Sequence, residues 1–119
     1  SEMCKETGSW TNYLGVEDMA AFINHTAGGY LFYKTPEYHR ISRFRGNGVP
    51  MDRPGFYVYI RDNEKKDYHS ISWQPVAKDL SKAKYRCRHG LSYTVYESEY
   101  DGLASSQTMV IPRGENVLL

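Results

Sequence analysis

The sequence offers little material for covalent or metal chemistry. Only two of its 119 residues are cysteine, Cys4 and Cys87. Two thiols make no disulfide framework, and neither stands at the spacing of a metal site. The four histidines, His25, His39, His69 and His89, have no second histidine or cysteine at ligand spacing, so the sequence signatures of a metal centre are missing. An excess of one charge is missing too. Fifteen Lys plus Arg stand against fourteen Asp plus Glu, for a net charge of +1. That balance gives no general reason to expect nucleic acid or an anionic membrane as a partner. No apolar run approaches the roughly 20 residues of a membrane-spanning helix, and no apolar signal segment opens the chain. The expectation is a reduced, cytoplasmic protein. There is no internal repeat and no low-complexity tract.

What is abundant is tyrosine, at eleven residues. Its ring packs on a pleated face while its hydroxyl reaches water or a partner, so it favours strands. The length allows one domain and a core that needs no disulfide or metal. Segment 1–9 is polar, unpatterned and reads as a flexible lead-in. Trp10–Gly15 reads as a short strand ending at a glycine turn. Met19–Asn24 is apolar enough for strand or helical turn, and its length with the glycines that follow favours strand. The pair Gly28-Gly29 suits a positive-φ hairpin turn into the aromatic run Tyr30–Tyr33. Segment 35–55 is loop-like, punctuated by proline and glycine.

Phe56–Arg61 gives the clearest alternation, with Phe56, Val58 and Ile60 on one face and Tyr57, Tyr59 and Arg61 on the other. Asp62–Asp67 is a charged turn, and Tyr68–Trp73 returns as a strand stopped at Pro75. Lys84–His89 alternates Tyr85 and Cys87 inward against Lys84, Arg86 and Arg88 outward. Leu91–Tyr96 continues this pattern, Asp101-Gly102 is the strongest hairpin turn, and Leu103–Ile111 pairs back. After a turn at 112–115, Asn116–Leu119 reads as the start of a further strand. The fold class is therefore all-β, an antiparallel β-sandwich over 10–119. Ending on an unprotected apolar strand, the sandwich is expected to be partial, truncated at its C-terminal end, with the natural chain continuing.

Candidate chemistry is sparse. Glycoside cleavage needs two carboxyl functions, or one with an external nucleophile, facing each other across a bond. Glu17 and Asp18 would point to opposite faces of a strand, and Glu97 and Glu99 share a face that reads as solvated. No serine lies in a nucleophile elbow. Cys87 beside arginines has the surroundings of an activated thiolate, but its alternation places it inward. The best candidate surface is the cluster Arg40, Arg43 and Arg45 with Asn47. Arginine forks suit phosphate, carboxylate and sugar hydroxyls, and they equally suit holding a loop or an inter-domain contact. Tyr57, Tyr59 and Trp73 are the candidate sugar-stacking platform of a stand-alone carbohydrate-binding module. A structural interaction domain is the third reading.

Taken in order, Trp10–Gly15, Ala27–Tyr30 with Phe32-Tyr33, the Arg40–Asn47 loop, Ser72–Val76 and Arg88–Tyr93 resemble the N-terminal region of the cellobiose and chitobiose phosphorylases. The resemblance covers about Trp10 to Leu119. The stretch Asp52–Asp62, then Asp67-Tyr68 and Ser70–Lys78, is similar to the chitobiose type. This resemblance implies a large enzyme with an N-terminal β-sandwich, a helical linker, an (α/α) barrel holding the active site and a C-terminal β domain. It implies inverting phosphorolysis of a β-linked disaccharide to an α-sugar 1-phosphate, with inorganic phosphate as co-substrate and no cofactor. An aspartic acid of the barrel protonates the leaving oxygen while phosphate attacks from the opposite face. No position here inherits a catalytic role, and the 119-residue chain by itself is expected to be inactive. Its implied partners are the barrel and a second subunit of a homodimer, where the sandwich borders the neighbouring site. Arg40, Arg43, Arg45 and Asn47 are then the expected substrate-proximal residues.

Overall fold

The computed structural model describes residues 10–15, 17–43 and 54–119. Within them eight antiparallel strands form three separate sheets. The first joins β1 (Thr11–Leu14), β2 (Met19–Asn24) and β3 (Gly29–Tyr33) in that order. The second is the hairpin β4 (Tyr59–Asp62) with β5 (Asp67–Ser70). The third joins β6 (Ala83–His89), β7 (Tyr93–Tyr100) and β8 (Leu103–Val110). The all-β, antiparallel expectation holds, and among the described residues there is no helix.

Burial explains the pairing of layers. The buried side chains Leu14, Met19, Ala21 and Ile23 of the first sheet and Ala83, Tyr85, Cys87, Tyr96 and Met109 of the third sheet form one core. Ala27 in the β2–β3 turn, Ile71, just past β5, and Ile111, just past β8, complete it, with Ile60, Trp73 and Leu118 packed against it. Side-chain hydrogen bonds then dock the layers. Tyr96, 1% exposed, donates its hydroxyl to the Asn24 carbonyl at 2.6 Å. The Asn12 amide lies 2.9 Å from the Gly90 carbonyl, 3.1 Å from that of Tyr93 and 3.0 Å from Thr94 Oγ1.

Several expectations change at the turns. Asp101 and Gly102 take φ of 51° and 78°, the positive pair that a two-residue primed turn requires. The glycine pair does not form the β2–β3 turn as expected. The turn is His25–Ala27, where Ala27 takes φ 62°, and Gly28 pairs with Gly55. Gly29, φ 148°, lies so close to β2 that a Cβ there would stand 1.8 Å from the Phe22 carbonyl oxygen, so only glycine fits.

The run expected as one strand over Phe56–Arg61 is divided. The Phe56 N–H donates to Ala27 O at 2.8 Å, while the Ile71 N–H donates to Val58 O at 3.1 Å. The segment thus crosses from the first sheet to the second, and regular pairing begins only at Tyr59. Crossing also breaks the alternation. Tyr57 packs on the core beside Phe56 and Ile60, whereas Val58 is 40% exposed. Likewise β5 stops at Ser70. There the hydroxyls of Ser70 and Ser72 turn back onto the carbonyls of Ser72 and Gln74, each at 2.7 Å, around a cis Gln74–Pro75 peptide. Of Asn116–Leu119, Leu119 alone has a backbone partner among the described residues, exchanging N–H and C=O with Val110 at 2.9 and 3.0 Å.

Candidate functional site

The outer face of the first sheet carries an aromatic ladder. Tyr13 lies opposite Phe22 and Phe22 opposite Tyr30 across β1, β2 and β3, so their rings share one face. Ring centroids are 5.0 Å apart for Tyr13–Phe22, 5.5 Å for Phe22–Tyr30 and 5.9 Å for Tyr30–Phe32. These are the separations of attractive aromatic pairs. Tyr13 remains 47% exposed.

The arginine segment is fixed to the edge of this sheet. The N–H groups of Ile41 and Ser42 donate to Leu31 O at 2.8 and 3.3 Å, and the Leu31 N–H donates to Ser42 Oγ at 2.8 Å. Arg40 bridges to Phe32 along the backbone, and its guanidinium stands 5.3 Å from the centre of the Tyr30 ring, within cation–π range. Arg40 and Arg43 are both exposed. The ladder and the arginines therefore make one surface, apolar in the middle and cationic at one side. Arg45 and Asn47 lie outside the described residues.

The other candidates separate. Tyr59 is 56% exposed, but Tyr57 and Trp73 pack against the core, and Trp73 donates its indole N–H to Lys78 O at 3.2 Å. Glu97 and Glu99 face solvent on the third sheet and pair with Arg88 at 2.9 Å and Lys84 at 3.9 Å. They do not face one another across a cleft. Cys87 is 2% exposed, inward as the alternation requires. Its sulfur is 3.7 Å from His89 Nε2. Burial holds the His89 pKa below its usual value, so the imidazole is neutral at pH 7 and gives the thiol no cation to stabilise a thiolate. Cys4 lies outside the described residues. Among those described, no three His, Cys, Asp or Glu side chains converge as a metal site.

One titratable cluster escaped the sequence reading. The Asp67 carboxylate accepts hydrogen bonds from Lys78 Nζ at 2.7 Å, from the Tyr68 N–H at 2.9 Å and from the Tyr100 hydroxyl. These bonds, led by that of Lys78, lower its pKa to about 2. The same contacts raise the pKa of Lys78 and of Tyr100, each led by its bond to Asp67. The His69 ring lies 5.0 Å from that of Tyr100. It is 4% exposed, and its Nε2 has no hydrogen-bond partner among the described residues. Burial lowers its pKa. The shifts keep Asp67 ionised, Lys78 charged and Tyr100 protonated at neutral pH and favour the neutral form of His69, which suits a cross-link and not proton transfer. Alternation could not reveal the cluster, because Asp67, Lys78 and Tyr100 stand on three different segments.

Comparison with known proteins agrees with this picture. The model of the glycosyl hydrolase 94 supersandwich domain matches residues 3–119. The chain is 53% identical over 107 residues to an N,N'-diacetylchitobiose phosphorylase of Vibrio proteolyticus, and 51% identical over 107 residues to one of Vibrio furnissii. Each match covers 90% of this chain and 13% of the relative. A solabiose phosphorylase of Paenibacillus borealis is 32% identical over 108 residues, covering 84% of this chain and 13% of its own length. The chain thus spans about an eighth of the length of the relatives it matches.

Proposed function

Since this chain belongs to the glycosyl hydrolase 94 supersandwich family, we propose that it is the N-terminal, non-catalytic domain of a phosphorylase that cleaves a β-linked disaccharide of the diacetylchitobiose kind with inorganic phosphate. The observation that carries this reading is identity of just over half, across nine-tenths of the chain, with two diacetylchitobiose phosphorylases. The side chains described are consistent with it. Phosphorolysis with inversion needs one carboxylic acid on the leaving oxygen and phosphate in place of the activated water. Asp67, the carboxylate with the strongest set of donors, is held ionised, the wrong state for that acid. On this reading the acid is supplied by a part of the polypeptide outside this domain.

The part assigned to this domain is to help form a homodimer and the site entrance. Arg40 and Arg43, with Arg45 and Asn47, border a site that takes phosphate and sugar hydroxyls, for which guanidinium forks are suited. The bonds of Ile41 and Ser42 to Leu31 hold the segment that carries Arg40 and Arg43 against the ladder's sheet. The test is phosphorolysis by the protein as its source produces it, with diacetylchitobiose and phosphate as substrates and sugar 1-phosphate as the readout. Activity in a protein several times heavier than 13.8 kDa, with a raised KM for Arg40→Ala and Arg43→Ala, is the expected result. An intact mass near 13.8 kDa and no phosphate uptake would sink the reading.

A further inference from the structure

The third sheet has two edges, and they are treated differently. Strand β6 carries Lys84, Arg86 and Arg88 at alternate positions, all exposed. Charged side chains of this kind, lysine above all, keep an edge strand from pairing with another chain. Strand β8 runs for eight residues, Leu103–Val110, with no charge and no proline. It pairs with β7 residue for residue throughout, so no bulge interrupts it. Before Val110, its far side has no backbone partner among the described residues.

The register of that edge is already set at one end. Val110 and Leu119 exchange both backbone hydrogen bonds, at 2.9 and 3.0 Å, the narrow pair of an antiparallel ladder. In such a ladder backbone groups point to alternate sides. The N–H and C=O of Thr108, Ser106 and Ala104 therefore face the same side as those of Val110, away from β7, and among the described residues nothing pairs with them. The chain at Leu119 is antiparallel to β8 and enters this edge at its Val110 end. Leu118 is packed against the core, which fixes the approach. An open groove of about 710 Å³ runs across the third sheet, lined by residues of β6 and β7 as well as by Ala104, Ser105 and Ser106 of β8.

From this we propose that β8 is a strand-acceptor edge, filled in the full-length polypeptide by the segment that directly follows Leu119. The proposal rests on the reading of this chain as one domain of a longer phosphorylase. Its register follows from the Val110–Leu119 pair. The second residue after Leu119 lies opposite Thr108, the fourth opposite Ser106 and the sixth opposite Ala104. Three residues of β8 gain partners for both backbone groups, and the sheet gains a fourth strand.

The test uses the full-length protein carrying Cys4→Ser. Thr108→Cys is combined with cysteine at the second residue after Leu119, and separately with cysteine at the third. Opposite residues of a narrow pair have Cα atoms about 5.5 Å apart, within the range a disulfide spans. The third residue points to the other face of the sheet. Oxidation is expected to link the first pair within one chain and to leave the second unlinked, read by mass of the joined peptides. Site-resolved amide exchange of the parent protein is expected to show Ala104, Ser106 and Thr108 slowed about 100-fold or more relative to free amides, like other ladder positions. A link in the control alone, no link in either, or fast exchange at these three amides overturns the proposal. A link between chains also overturns it, since a second copy then occupies the edge. A natural mass near 13.8 kDa removes this proposal and the phosphorylase reading together. A larger mass with no link removes this proposal alone.

Discussion

Replacing Asn24 by alanine should unfasten the β2–β3 hairpin. The Asn24 Oδ1 accepts three hydrogen bonds, from the Thr26 N–H at 3.0 Å, the Thr26 hydroxyl at 3.0 Å and the Gly28 N–H at 2.8 Å. This side chain imitates a turn of backbone and holds the loop that Tyr96 also touches. The three bonds are unequal. Gly28 is buried, and leaving its donor unsatisfied costs about 1–3 kcal/mol. Thr26 is only half-buried, so water replaces its two bonds at a cost of about 0.5 kcal/mol each. The sum is about 2–4 kcal/mol, which for a domain of this size lowers Tm by about 10 °C or more. The assay is thermal and urea unfolding of the domain, followed by the fluorescence of Trp10 and Trp73. Asn24→Asp keeps an oxygen at the same position and should retain most of the stability. A loss below about 0.5 kcal/mol for Asn24→Ala, or an equal loss for Asn24→Asp, would refute the assignment of the hairpin to this acceptor.

Four further outcomes follow from the geometry. Gly29→Ala should cost more than about 3 kcal/mol or prevent folding, because its Cβ would meet the Phe22 carbonyl at 1.8 Å with φ at 148°. Gly102→Ala at the open Asp101-Gly102 turn, where a Cβ meets nothing within 4 Å, should cost about 1 kcal/mol, and urea midpoints compare the two. Stability should also fall on acidification in two windows. The lowered pKa of His69 means that the unfolded chain binds a proton first, so stability declines as pH drops below about 6.5. Asp67, lowered from 3.8 to about 2, adds a loss from about pH 4 down to about pH 2. In His69→Phe the first window should shrink and the second remain, and an unchanged profile would dismiss the role given to His69. Finally Cys87, 2% exposed beside a neutral imidazole, should react with a thiol reagent only at the rate at which the domain opens. Labelling as fast as a free thiol would contradict that placement.

The third sheet was legible in the sequence because its strands are wet on one face and dry on the other. Tyr85 and Cys87 alternate with Lys84, Arg86 and Arg88, and the structure keeps that register through all seven residues of β6. Strand β2 was ambiguous for the opposite reason. Met19, Ala21 and Ile23 face the core, while Phe22 belongs to the aromatic ladder on the other face, beside buried Ala20, so both faces are apolar and no period shows. Phe56–Ile60 misled because alternation assumes that a strand keeps its neighbours, and this one changes sheets between Phe56 and Tyr59. The candidate site was half legible. Arg40 and Arg43 stood out by composition, but their backing by Tyr30 and Leu31 depends on a fold-back that spacing does not encode. Substrate class was not readable from residue chemistry. It entered only with the resemblance of ordered motifs.

The separation of the sheets explains why polar side chains recur at their seams. A two-stranded hairpin is marginal by itself in water, and even three strands need a covered face. Among the described residues the three sheets share no backbone ladder, so docking depends on the common core and on side chains that reach across. Asn12 joins the first sheet to the β6–β7 turn, and Tyr96 joins the third to the β2–β3 turn. Gln107 donates to Phe56 O at 3.3 Å. Asp67 with Lys78 and Tyr100, and Lys65 with Asp101, tie the β4–β5 hairpin to the third sheet. A side chain that satisfies a buried carbonyl of another sheet fixes one relative placement, whereas apolar contact tolerates sliding. On this argument the seam residues set the angle at which the arginine segment is presented, though none of them touches it. If the proposed function holds, Asn12→Ala in the full-length protein should then raise the KM for phosphate along with the loss of stability. A destabilised variant with unchanged KM would show that the surface is positioned by the core alone.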